Sequence, residues 1–289
     1  MSTIRHVTDT YRTDSFTHRG HRLVYDTYGE GERLLVYVHG LLLDADLNRG
    51  IAGALADQGN RVVLLDLLGH GRSDRPTHAS EYRIDRYADQ VVALLDHLGV
   101  EQATVGGLSL GANVSLLVAS RHPERVRGMV LEMPVMEWAV PAAALTFVPM
   151  LLGARYAAPA LRLTAAVARR VPRSGFGPLD SVLGTAATAP EVISSILHGV
   201  LVGPVVPTLE EREAITVPTL VLAHTNDLIH PLNDARNLAA QLPASRLVQA
   251  HSPLELRLLP RRLTREISQF LREVWDGETQ PACSSTPGP

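Results

Sequence analysis

One cysteine, Cys283, is all that the 289 residues contain. No disulfide within the chain and no cysteine-based metal site is available to it. Aromatic residues make up 4%, too few for the stacking platforms that hold single-stranded nucleic acid. No sign of charge dominates: 27 Lys+Arg stand against 30 Asp+Glu, a net −3. The chain has neither a basic field for nucleic acid nor an acidic tail for a basic partner. Met1 to Tyr11 are polar where a secretion signal needs an apolar core, which leads us to expect a cytoplasmic protein. The most apolar stretch, Trp138 to Leu152, contains Pro141 and Pro149. It is short for a membrane span, so a buried or lid helix is expected and stable membrane insertion is not. No internal repeat is visible. No phosphate loop and no Gly-x-Gly-x-x-Gly turn follows the first parallel strand, and no His-x-x-x-His unit occurs. Neither a nucleotide cofactor nor a metal is expected.

What is present is a hydrophobic share of 45%, enough for a large core in one α/β domain with an insertion. Phe16–His18 and Leu23–Tyr28 alternate like an edge hairpin around Arg19-Gly20-His21. From residue 33 to 132 near-continuous apolar runs (33–38, 62–66, 102–105, 126–132) alternate with helical patterns such as Ile84–Leu98. That rhythm predicts a mostly parallel sheet covered by helices on both faces. Asp44 is placed as an N-cap. The rhythm stops after Glu132, and 133–215 is Ala-, Leu-, Val- and Pro-rich with helical patches only. Strands resume at Pro218–Ala223 and Arg246–Ala250, and an amphipathic helix runs from Arg261 to Val274. The expected organisation is a core of 14–132 and 216–275, a helical cap of 133–215, and a disordered tail of 276–289.

Between a strand and a helix lies Gly107-Leu108-Ser109-Leu110-Gly111. Gly-x-Ser-x-Gly in this setting is a nucleophile elbow, a tight turn that lifts a serine hydroxyl above the sheet. Such a serine adopts strained, positive φ. It needs a base, and the base needs an orienting acid. Candidates stand directly after strands. Asp227 follows Leu220–Ala223, and His251 follows Val248–Ala250, in the order Ser109, Asp227, His251. His224 and His230 are competing bases, and Glu132, at the end of the preceding strand, is the alternative acid. Asp234 reads as a solvated first-turn residue. His39 and His70 read as loop-ordering residues.

On these residues the chain resembles the α/β-hydrolase fold superfamily in its lidded serine carboxylesterase and lipase-like branch. The resemblance covers roughly residues 20–275. It rests on the elbow, the His39-Gly40 step, the loop Asp66…Gly69-His70-Gly71-Arg72-Ser73-Asp74, and the late Asp, strand, His, helix unit. It implies an oxyanion hole made by the N–H groups of Leu41 and Leu110, worth about 10²–10³ in rate per donor. Ala250, where the superfamily often has Gly, and the run after His251 depart from the pattern. The expected reaction is cleavage of a hydrophobic carboxylic ester through an acyl-enzyme. Carbon–carbon, lactone or amide hydrolysis, perhydrolysis and non-catalytic ligand binding are the alternatives. Trp138, Phe147 and Met150 are expected to line the pocket.

Overall fold

The computed structural model describes residues 11–203, 205–225, 227 and 229–277. The N-terminal segment on which the cytoplasmic expectation rests, all but Tyr11, and the tail from 278 lie outside the described residues. Eight strands form one sheet in the order β1-β2-β4-β3-β5-β6-β7-β8. They are β1 Tyr11–His18, β2 His21–Tyr28, β3 Leu34–Val38, β4 Arg61–Asp66, β5 Ala103–Leu108, β6 Val126–Glu132, β7 Thr219–Ala223 and β8 Ser245–Gln249. β1 and β2 are the antiparallel edge hairpin, its turn made by Arg19 and Gly20 at positive φ. From β4 to β8 every pairing is parallel.

Helices α1 Arg49–Ala56, α2 Ile84–His97 and α3 Leu110–Arg121 connect the first parallel strands. The apolar strands are buried on both sides because each face meets helices. Leu34, Val36 and Val38 of β3 join the cluster of α2 and α3, while Leu35 and Tyr37 join that of α1. Between β6 and β7 come α4 Val140–Tyr156, α5 Ala158–Ala168, α6 Gly177–Ala186, α7 Pro190–Val202 and α8 Leu209–Glu213, with no strand among the described residues of this insert. After β7 follow α9 Leu232–Gln241, α10 Glu255–Leu258 and α11 Arg261–Asp276. α11 buries Leu263, Ile267, Phe270 and Leu271 against the sheet, each contributing about 1.5–3 kcal/mol.

Pro141 and Pro149 do not interrupt the apolar stretch. Pro141 lies in the first turn of α4, where its missing N–H costs nothing, and Pro149 is accommodated inside the helix. Nor is α4 a buried helix: only Ala154 along it is fully covered.

Several contacts tie the insert to the core. Asp234 of α9 accepts the N–H groups of Met136, Trp138 and Ala139, holding the turn that starts α4. Asp234 is therefore buried, not solvated, at 1% exposure. The Asp44 N–H donates to Ser181, and Thr185 donates to the Leu42 carbonyl, which docks α6. Gly199 of α7 lies so close to the core that a Cβ there would stand 2.3 Å from the Ala79 carbonyl.

Candidate active site

Ser109 joins β5 to α3 at φ 52, ψ −105, a conformation costing a residue with a Cβ about 1–3 kcal/mol. The turn is held by the Ser109 N–H donating to the Glu132 carbonyl at 2.8 Å. Its glycines are sterically required. A Cβ on Gly107 would come within 2.4 Å, and one on Gly111 within 2.3 Å, of the Val38 carbonyl oxygen. The strained serine is thus imposed by two close backbone approaches beside β3.

The ring facing Ser109 belongs to His230. Its Nε2 lies 2.9 Å from Ser109 Oγ, and its Nδ1 lies 2.9 Å from Asp227 Oδ2. Because the Asp227 carboxylate is an acceptor, Nδ1 carries the proton and Nε2 accepts from the serine hydroxyl. Asp227 is fixed locally: its Oδ1 accepts the N–H groups of Ile229 and His230 at 2.8 and 3.1 Å. Burial opposes ionisation of Asp227. Hydrogen bonds and attraction from His230 together with those N–H groups outweigh it, so the carboxyl sits below its usual range. His224 backs this pair, with Nε2 3.4 Å from Asp227 Oδ2 and Nδ1 against the Thr225 carbonyl. It does not reach the serine.

His251 is not brought to this cluster, which corrects the expectation from its place after β8. Its side chain is 79% exposed. Its N–H donates to Glu255 at 2.6 Å, and Glu255 is in turn held by Arg262. α10 begins four residues on and is anchored inward by Arg257, which bonds Glu132 and Asn48. The short turn before it leaves the His251 ring facing solvent. The same contacts remove Glu132 as the acid. It is buried at 3% exposure and hydrogen-bonded by Tyr37 and Arg257.

Leu41, Ser109 and Leu110 line one cavity of about 280 Å³. The N–H groups of Leu41 and Leu110 have no acceptor among the described residues, so both are free for an anionic oxygen at the mouth of α3. Behind them two neutral histidines shape the loop. His39 Nε2 accepts from Leu67 N–H at 3.1 Å, and His70 Nε2 accepts from Leu42 N–H at 3.3 Å. Burial pushes both imidazoles below their ordinary range, so they act as acceptors and not as cations. The Asp66–Asp74 loop supports them through Arg72, which bridges Asp66 and Asp26. Asp44 accepts from Asp46 N–H as the expected cap.

The cavity roof is α4 and α7. Val140, Ala143, Ala144, Phe147 and Val148 of α4 line it. Phe147 is placed as expected, but Trp138 and Met150 are not. Leu151, not Met150, continues the stripe of α4 that packs on the core, and Trp138 in the preceding turn is 68% exposed. Asn113 is a lining residue that sequence reading missed, although it stands one turn after Leu110 on the same helix. Its amide bonds the carbonyls of Val135 and Val205, joining both ends of the insert to α3. No group of three or more His, Cys, Asp or Glu suited to a metal occurs among the described residues.

A segment of 71 residues is 48% identical to 2-hydroxymuconate semialdehyde hydrolase of Pseudomonas sp. (strain CF600), covering 25% of each chain. A segment of 97 residues is 35% identical to haloalkane dehalogenase of Mycolicibacterium paratuberculosis (strain ATCC BAA-968 / K-10), covering 34% of this chain and 32% of that one. The chain thus matches a third or less of the length of these relatives. The crystal structure of the enol-lactonase from Burkholderia xenovorans LB400 superposes with a TM-score of 0.72 at 24% identity, over 90% of this chain and all of that one. The model of the alpha/beta hydrolase fold family matches residues 33–252; the chain belongs to that family.

Proposed function

We propose that this protein is a serine hydrolase that cleaves a carboxylic ester of a hydrophobic small molecule. The observation that carries the reading is the line Asp227–His230–Ser109, with both links at 2.9 Å, ending at a serine that lines a cavity walled mostly by apolar side chains. His230 Nε2 takes the Ser109 proton as Oγ attacks the ester carbonyl, and Asp227 stabilises the imidazolium that forms. The carbonyl oxygen becomes an oxyanion held by the N–H groups of Leu41 and Leu110. The imidazolium then protonates the leaving alcohol. Water, deprotonated by the same ring, attacks the acyl-enzyme and releases the acid. The elbow holds a serine, so the aspartate-nucleophile chemistry of dehalogenases on this fold is not proposed. Among the described residues, the polar side chain on the cavity wall apart from Ser109 is that of Asn113, and no cation lines it. A substrate bearing a carboxylate would be desolvated there without a partner, which favours neutral esters over acidic carbon–carbon or lactone substrates.

A fluorophosphonate probe is expected to label Ser109, and chromogenic esters of rising chain length to be hydrolysed. Ser109→Ala and His230→Ala should each lower kcat/KM by about 10⁴-fold or more. His251→Ala should leave it within about twofold, as an exposed position away from the site. Activity that survives Ser109→Ala, or that collapses in His251→Ala and persists in His230→Ala, would sink this assignment.

A further inference from the structure

Among the described residues, nothing packs on the apolar outer surface of the insert. Along α4 and the turn before it, Trp138, Leu145, Leu152 and Tyr156 are exposed, at spacings of seven, seven and four that put them on one stripe. The opposite side of α4 roofs the cavity and packs on α7. In α5, Leu163 and Val167 are exposed one turn apart, and Ala165 is the buried residue of the helix. A helix apolar all round is a core helix or one that meets lipid, and α4 is largely uncovered.

Charge says what covers it. Between Trp138 and Leu179 the sequence has five arginines (Arg155, Arg162, Arg169, Arg170 and Arg173) and no acidic residue, in a chain whose net charge is −3. The remainder of the molecule is therefore distinctly acidic. Arg162 pairs with Glu191 and Arg173 with Asp46, while Arg155, Arg169 and Arg170 have no carboxylate partner among the described residues. The chain contains no lysine, so every one of these cations is a guanidinium, which binds phosphate oxygens in bidentate fashion. A second copy of this chain fits poorly, because a two-fold contact would bring the same arginines together.

We infer that the outer face of α4 and α5 docks on a lipid bilayer rich in anionic phospholipid, with the apolar stripe at acyl depth and the arginines among the phosphates. Glu137–Tyr156 is long and apolar enough to cross a membrane by composition. Its inner face is nevertheless engaged with α7 and the cavity, so the helix lies on the bilayer and does not span it. The acidic body then faces away from the lipid. Docking is independent of the chemistry at Ser109. It would set the cavity roof on the phase where a hydrophobic ester dissolves.

Co-sedimentation of the full-length protein with vesicles tests this. One set is phosphatidylcholine alone and the other is phosphatidylcholine and phosphatidylglycerol in equal parts. Binding is expected to the second set and to fall with added salt. Arg155→Gln/Arg170→Gln should weaken it by about tenfold, given the contribution of each surface cation. Leu145→Ser/Leu163→Ser should weaken it by a similar factor, about tenfold. Thermal melts of both variants should match the parent, since every changed side chain is exposed. Trp138 emission should shift to the blue on docking, and Trp138→Phe should abolish the shift, because the other tryptophan, Trp275, is half-buried against the core, away from the insert, with its indole N–H donating to Thr104. No sedimentation with either vesicle overturns the proposal. So does binding that both double variants retain in full. So does a concentration-dependent dimer, dissolved by Leu145→Ser, in a protein that ignores vesicles.

Discussion

His230 stands three residues after Asp227, and that spacing is the reason it faces the proposed nucleophile. One carboxylate oxygen of Asp227 closes the turn on two N–H groups, and the other is left for the ring that the same turn presents. The proposed acid and base are thus oriented by one local loop, with no need for a partner from a distant strand. Asp44 is a second residue whose surroundings set its chemistry. Buried under α6 near Ser181, it has its carboxyl pushed up to about 6, with desolvation the leading cause. An acid whose pKa is raised in the folded state prefers its neutral form there. Its contribution to stability is therefore favourable below the unfolded value of 3.8 and is lost as pH rises toward 6. The loss approaches about 3 kcal/mol. Asp44→Asn keeps the cap oxygen and removes the charge, so it should raise Tm at pH 8 and change it little at pH 4. Melts of both proteins across that range measure it. Equal shifts at both ends would show that burial of the charge is not what Asp44 costs.

At the scale of elements, α10 is only four residues long, and Arg257 ties it to the end of β6. Arg257 reaches Glu132, while Tyr37 donates to the same carboxylate. Both the arginine and the glutamate are nearly inaccessible to solvent, at 3% and 5% side-chain exposure. Arg257→Met leaves Glu132 charged and buried, and should cost about 3–5 kcal/mol in urea unfolding. The double change Arg257→Met/Glu132→Gln should recover a substantial part, because neither partner is then an unpaired ion. If the double variant is as unstable as the single one, packing and not charge is what Arg257 supplies. The elbow is the contrasting case. It needs no buried ion, because Gly107 and Gly111 let β3, β5 and α3 approach within backbone contact.

For the whole molecule the defining feature is the cavity between core and insert. Ser109 and Leu41 come from strand ends, Phe147 and Val148 from α4, and Val200 and Leu201 from α7. No segment carries it alone, and for the ester proposed above its size would set which acyl or alcohol group fits. Phe147→Ala removes one of the larger lining side chains. It should move the preferred ester chain length upward and raise KM for the shortest esters by a few fold, at about 0.8 kcal/mol per methylene no longer buried. A profile that does not move would place the substrate elsewhere.

The alternation of buried strands and helical spacings determined the mostly parallel sheet, and Gly-x-Ser-x-Gly at a strand–helix junction determined the elbow. Both are local or periodic, and the sequence displays such signals directly. The proposed base was not legible in the same way. His251 has the expected place after the last strand, and His230 looked like one of several histidines nearby. Only the tertiary structure separates them. The ring orientations depend on where Arg257 anchors α10 and on how Asp227 closes its turn, and those contacts join residues 125 and 3 positions apart. The insert divides likewise. Its helices could be read from composition. Which side of α4 meets the cavity and which meets solvent could not, because an almost wholly apolar helix carries no polar face to mark the outside.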